Sequence, residues 1–286
     1  MHFALFGINF GPCADPATAR RIALAAEQAG LESLWTGEHV VLPDPQVPPS
    51  PSPPEVAFLD PAVTLAFVAA ETTTIRLGTG IIILPQRNPL VLAKELASVD
   101  VLSGGRLIFG LGIGYLKPEF DALGVPFEDK GPRSMDYLDA MLALWTMPRP
   151  AHEGRFVRFA GIQAFPRPVQ KPHPPIVIGG HTPPAFRRAV GRANGWYGFA
   201  LDTEAVAACA KGLEAAARAV SRPASLGRLE ISVTPKGKLD AAAVGRYAAL
   251  GVERLIVHRP AATAADVLAS VEGIAALRRE FERAGA

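Results

Sequence analysis

Residues Ile75 to Phe127 read IRLGTGIIILPQRNPLVLAKELASVDVLSGGRLIFGLGIGYLKPEFDALGVPF. Two strand-like apolar runs, Ile75–Leu84 and Arg106–Leu111, sit at either side of one helical pattern, and glycines cluster at their ends. Asn88 is a good helix N-cap, and Pro89 suits the first helical position. Ser103-Gly104-Gly105 stops that helix. Strand, helix and strand in this order form a parallel β-α-β unit.

The unit repeats in both directions. Upstream, Phe3–Ile8 reads as a strand, and Asp15-Pro16 opens a helix that Gly30 closes. Ser33–Thr36 is a second strand, followed by Gly37-Glu38-His39. A proline-rich loop spans Pro43 to Pro54, and Ala62–Thr74 is the next helix. Downstream, Gly112–Gly131 is a loop with a short helix near Pro118–Leu123, and Met135–Thr146 is a helix. The segment His152–Pro174 breaks the rhythm and predicts a small hairpin around Ala160-Gly161, then an extended stretch. Strands follow at Pro175–Ile178, Gly195–Phe199, Leu229–Val233 and Val252–Val257. Helices follow them at Pro183–Arg192, Thr203–Val220, Asp240–Leu250 and Thr263–Ala284. Eight strand–helix pairs predict an α/β fold, a closed (β/α)8 TIM barrel, as one domain over residues 1–286. Its insertion loops fall after strands two and four and around residues 149–174. An open doubly wound sheet is the alternative.

With 286 residues, 49% of them hydrophobic and 20% charged, the chain has ample material for one large core. A net charge of +2, with no basic block, argues against nucleic acid as a partner. No apolar run reaches the roughly 18 residues of a membrane span, and the N-terminus reads as a strand rather than a signal peptide. A soluble, cytoplasmic protein is expected, with Cys13 and Cys209 as reduced thiols.

Barrel chemistry sits on the loops after the strands. Here those positions are Asn9, Glu38-His39, Gly80-Ile81, Gly112–Tyr115, Gly179–His181, Asp202, Lys236 and His258-Arg259. They hold no carboxylate cluster for a hard cation or for glycoside hydrolysis. There is no His-Glu-x-x-His for zinc and no Gly-x-Ser-x-Gly elbow, so no metal site is expected. Gly110 to Gly114 is not a dinucleotide fingerprint, because the spacing is wrong and no helix follows at once. Such an edge suits a large, flat, uncharged ring held against backbone, with a phosphate tail. Gly112 and Gly114 read as backbone left bare beside the ring. Gly179-Gly180-His181, before a helix start, reads as the tail site or as a simple tight turn. His39 is a candidate proton donor or ring contact, and Tyr115 a substrate contact or pocket lining. His181, Lys236, His258 and Arg259 are candidate contacts to an anionic group, or solvated loop residues. The two long loops are candidate lids.

Together these residues resemble the bacterial luciferase-like monooxygenase superfamily, in its class dependent on coenzyme F420, a deazaflavin. The resemblance is carried by Ala25–Gly30 through Glu38-His39, Leu77–Gly80 to Pro89, Leu102–Arg106, Gly110–Val125, Pro174–Gly180 and Asn194–Trp196. It implies an oxidoreductase that transfers a hydride between F420 and a small organic substrate. FMN is the alternative cofactor, making the chain a flavin monooxygenase; a non-catalytic flavin-binding relative is a further alternative. It also implies a homodimer, and a non-prolyl cis peptide at Gly80-Ile81 under the ring. His39, then Tyr115, are the catalytic candidates. Asn9, Glu38, Gly80, Ile81, Gly112, Gly114, Gly179, Gly180 and His181 are the cofactor-binding candidates. In the deazaflavin alcohol and sugar-phosphate dehydrogenases a Glu follows the fourth-strand glycines and a Trp follows the His. Tyr115 and Pro43 stand at those positions here, so the acid/base partners are expected to be incomplete and that subgroup is disfavoured.

Overall fold

The computed structural model describes residues 1–284. Its strands are β1 (His2–Phe6), β2 (Ser33–Thr36), β3 (Arg76–Thr79), β4 (Ile82–Ile83), β5 (Leu107–Gly112), β6 (His152–Glu153), β7 (Arg158–Phe159), β8 (Ile176–Gly179), β9 (Gly195–Leu201), β10 (Glu230–Pro235) and β11 (Arg254–Val257). Its helices are α1 (Pro16–Gln28), α2 (Pro61–Glu71), α3 (Pro89–Leu102), α4 (Lys117–Ala122), α5 (Lys130–Thr146), α6 (Pro183–Arg192), α7 (Thr203–Ala219), α8 (Ala241–Ala249) and α9 (Ala264–Ala284). The parallel sheet runs β3-β2-β1-β11-β10-β9-β8-β5, and β3 pairs with β5 to close it. The result is the predicted (β/α)8 barrel, in which β3 and β4 together serve as the third strand.

Several crossover helices start where the sequence supplies a cap. Asp15 accepts from the Thr18 N–H at 2.8 Å, Asp60 from Val63 at 3.1 Å, and Asp202 from Ala205 at 2.9 Å. The main core lies between strands and helices, with Leu34, Leu65, Leu96, Phe109, Met141 and Trp196 wholly buried. A smaller cluster of Ala4, Trp35, Ile108, Val177, Tyr197 and Ile256 fills the barrel itself. Every side chain that enters there competes for volume, so glycines flank the big rings. A Cβ at Gly78 would lie 2.5 Å from the Trp35 indole, and one at Gly110 would lie 1.8 Å from the Thr79 carbonyl oxygen.

Three expectations need correction. The run Ile75–Leu84 is two strands: the ladder breaks at Gly80–Ile81, whose peptide is cis, and a 3-10 turn covers Leu84–Gln86. The helix expected from Met135 begins a turn earlier, at Lys130. The small hairpin is β6–β7, turning between Gly154 and Val157 rather than at Ala160-Gly161. Its place is fixed by Asp136 of α5, which hydrogen-bonds His152 Nε2 at 2.7 Å and accepts the Phe156 N–H at 2.6 Å. Among the described residues, no helix is long and apolar enough to cross a membrane, and no His/Cys/Asp/Glu group could hold a metal ion.

Candidate active site

The predicted site residues converge at the C-terminal ends of the strands. His39 follows β2, and its Nδ1 lies 3.3 Å from Glu119 Oε2. Glu119 sits on α4, just past β5, with its side chain fully enclosed. Its other oxygen accepts the Val40 N–H at 2.6 Å. Burial alone would raise the Glu119 carboxyl, but His39 and the Val40 N–H outweigh it and hold it below the ordinary range. The Tyr115 ring stands edge-on to the His39 ring, with centroids 6.0 Å apart. Burial, then the charge of Glu119, pushes the Tyr115 phenol up, so it stays protonated.

A carboxylate does reach His39, and it comes from one helical turn beyond Tyr115 rather than from the Tyr115 position. In sequence Glu119 falls only within the short helix expected near Pro118–Leu123, and the fold aims it at His39. The available signal was spacing: Glu119 follows Leu116 by three residues and adjoins Phe120, on the side of the short helix that is buried with them.

Other predicted positions take different parts. Asn9 is wholly buried, and its side-chain amide bridges the Gly37 backbone and the Leu59 carbonyl at 2.7–2.9 Å. Glu38 is buried too, held by Arg87 and the Ile83 N–H. Burial raises its carboxyl despite the neighbouring Arg87 charge. Both side chains pin loops at the mouth and have protein partners for their polar atoms. Gly112 has a local reason to be bare: a Cβ there would lie 2.0 Å from Ile81 Cδ1. The Ile81 side chain is stowed in a notch bounded by Gly112 and Gly179. Gly114 adopts φ +74 and packs against Ile83 and Phe120.

At the end of β8, Gly180 takes φ +126, and its carbonyl accepts the Trp196 indole N–H at 2.8 Å. Thr182, the N-cap of α6, makes no side-chain cap bond. Pro183 and Pro184 lack N–H groups, so the first turn offers fewer donors than an ordinary helix start, although its dipole still favours an anion. His181 Nε2 accepts the Phe199 N–H at 3.1 Å, which requires the neutral ring with its proton on Nδ1.

An aromatic wall continues around the mouth. His39 touches Phe58, Phe58 stacks on Phe10 with centroids 5.0 Å apart, and Phe10 meets Phe6 at 5.7 Å. Phe6 in turn meets Phe199 at 5.3 Å and His258 at 5.4 Å. Phe199 and Tyr115 remain 41% and 51% exposed at the edge of this wall. These rings, the Gly80–Ile81 peptide with its side chain stowed away, and the partnerless buried hydroxyl of Thr36 fit a flat, polar-edged ring at the mouth.

The chain belongs to the luciferase-like monooxygenase family, whose model matches residues 2–283. An uncharacterized protein of Mycobacterium tuberculosis is 32% identical over 286 aligned residues, covering 96% of this chain and 98% of that one. The oxygenase component of a flavin-dependent trigonelline monooxygenase from Acinetobacter baylyi is 29% identical over 199 residues, 66% of this chain and 52% of that protein. The structure of an F420-dependent secondary alcohol dehydrogenase, in complex with an F420-acetone adduct, superposes with a TM-score of 0.74 at 14% identity, covering 90% of this chain and 92% of that one. At that identity the likeness shows the fold alone. Members and neighbours thus include both F420- and flavin-dependent enzymes.

Proposed function

We propose that this chain is an F420-dependent oxidoreductase exchanging a hydride with a small organic substrate at the barrel mouth. The observation that carries the reading is the His39–Glu119 pair beside Tyr115, at the same strand ends as the Gly80–Ile81 peptide. When bound, a deazaflavin supplies the hydride chemistry at its reactive carbon. Glu119 accepts the Nδ1 proton of His39 and fixes the ring, leaving Nε2 to give or take the substrate's proton. Tyr115 lines the pocket and excludes water. Gly80 and Ile81 support the ring, Gly112 and Gly114 form its edge, and Gly179, Gly180 and His181 border the phosphate tail. Asn9 and Glu38 hold that shape from behind.

The second reading is an FMN-dependent monooxygenase, favoured by the likeness to the trigonelline enzyme. Titration of the purified chain with F420 and with FMN separates them. Saturable F420 binding with weaker FMN binding supports the first; FMN binding without F420 binding overturns it for the second. Affinity for neither would leave a non-catalytic relative.

The reading also includes a homodimer. Val63 and Phe67 on α2 and Val91 and Leu102 on α3 are 69%, 37%, 55% and 65% exposed, on helices apolar on most sides. A second copy covering these helices is proposed, in a cytoplasmic setting that keeps the free cysteines reduced. Sedimentation of Phe67→Glu should show monomer where the parent chain shows dimer.

A further inference from the structure

Beside the aromatic wall a cleft of about 250 Å³ opens between the ends of β1 and β11 and the first turns of α9. Its lining includes Phe6, Phe10, Val56, His258, Arg259 and Ser270. The far side is not a loose loop. The Gly11 N–H donates to the Ala57 carbonyl at 3.1 Å, and the Leu59 N–H to the Asn9 carbonyl at 2.9 Å. Its size lies below the ~300–1,000 Å³ of sites for drug-sized ligands, so it suits a molecule of about one ring.

The lining has one fixed charge, Arg259. The salt bridges of the neighbouring elements go elsewhere: Arg228 to Glu253, Arg254 to Glu32 and Glu230, Arg278 to Glu282. Asp266, on the first turn of α9, uses its carboxylate on the Ala262 and Thr263 N–H groups. Burial pushes the His258 imidazole down, so this ring is an uncharged aromatic surface at neutral pH. Phe6 joins the cleft to the candidate active site: a Cβ at Gly80 would lie 3.2 Å from Phe6 Cε2. The Phe6 ring thus borders both the cleft and the Gly80–Ile81 peptide.

We propose that this cleft binds a single-ring aromatic carboxylate as substrate, its ring against Phe6, Phe10 and His258 and its carboxylate on the Arg259 guanidinium. Aromatic faces supply edge and stacking contacts, and a guanidinium offers a planar, paired-donor match to a carboxylate. The role as substrate rests on the redox reading above; the affinity of the cleft does not.

Benzoate and benzyl alcohol are the probes, titrated into the full chain without cofactor by calorimetry. Benzoate should bind at least about tenfold more tightly than its neutral analogue, because it gains a charge-assisted bond. Arg259→Gln should remove that advantage and level the two, while Phe10→Ala should weaken both. The F420 and FMN affinities of Arg259→Gln should match the parent chain. Equal benzoate affinity in the parent and Arg259→Gln, or no saturable benzoate binding up to about 10 mM, would overturn the proposal. If benzoate binds as described and neither cofactor does, the redox reading fails and the cleft stands. If a cofactor binds and benzoate does not, the cleft fails alone.

Discussion

Glu119 shows how much one carboxylate depends on its surroundings. Its folded-state value is depressed, so its contribution to stability is complete above the unfolded value, about 4.3, and is lost as pH falls through the folded value. For a hydride-transfer enzyme, Glu119→Gln should lower kcat by about 10²-fold with KM little changed, as expected for a lost general acid–base orienter. His39→Asn should cost a similar factor. The double variant should be no worse than His39→Asn alone, because the two act as a unit. Steady-state kinetics with the identified cofactor checks this, and independent, multiplying losses would refute the coupling. Two glycines give a contrast at the same scale. Gly110→Ala drives a Cβ into the Thr79 carbonyl, a backbone atom, and should cost more than about 3 kcal/mol. Gly112→Ala meets only the tip of Ile81, so its cost should be near 1 kcal/mol, with Ile81→Val relieving it. Thermal melts of the three variants decide between these outcomes.

At the level of elements, Arg106 joins a helix end to two strands. Its guanidinium donates to the Ala69, Thr72, Ile75 and Ser103 carbonyls and to the Thr72 hydroxyl, at 2.7–3.0 Å. A lysine there keeps a charge but lacks the planar fork, so Arg106→Lys should destabilise by about 2 kcal/mol, or roughly 4 °C in Tm. A loss under 1 °C would show that Lys satisfies those carbonyls equally well. Element starts were legible because caps are local: Asp15, Asp60, Asn88, Asp202 and Asp240 each bond an N–H two or three residues on. The hairpin was misplaced because Asp136, far along the chain on α5, decides where β6 and β7 turn.

At the scale of the whole molecule, the bottom of the barrel is closed by charge. Arg254 is 1% exposed and pairs with Glu32 at 2.8 Å and with Glu230, across β11 and β10 and the residue preceding β2. Burial would raise the Glu32 carboxyl, but Arg254 holds it down on balance. Its contribution is therefore present above about pH 4.3 and lost as pH falls through the folded value. Glu32→Gln removes one of the two carboxylates on a buried guanidinium that Glu230 still holds, and should cost about 1.5–3 kcal/mol at neutral pH. It should also flatten the acid limb of the stability curve. Denaturant unfolding at pH 7 and pH 4 measures both, and parallel curves for the two proteins would rule out the linkage.

The sequence by itself determined the barrel, because strand and helix periods, proline starts and glycine stops are short-range signals repeated along the chain. It also placed His39, Tyr115 and the Gly80–Ile81 peptide at strand ends, since the end of an apolar run marks the mouth. Only the tertiary structure decided that Glu119 pairs with His39 and that Asn9 and Glu38 face inward. It alone revealed that Gly112 is bare for Ile81 and that Phe6, His258 and Arg259 line one cleft. Those facts join residues 28 to 253 positions apart, which composition and periodicity do not encode. The stretch from Ile75 to Phe127 thus fixes the architecture, while the chemistry of its Tyr115–Glu119 segment depends on what β2 brings against it.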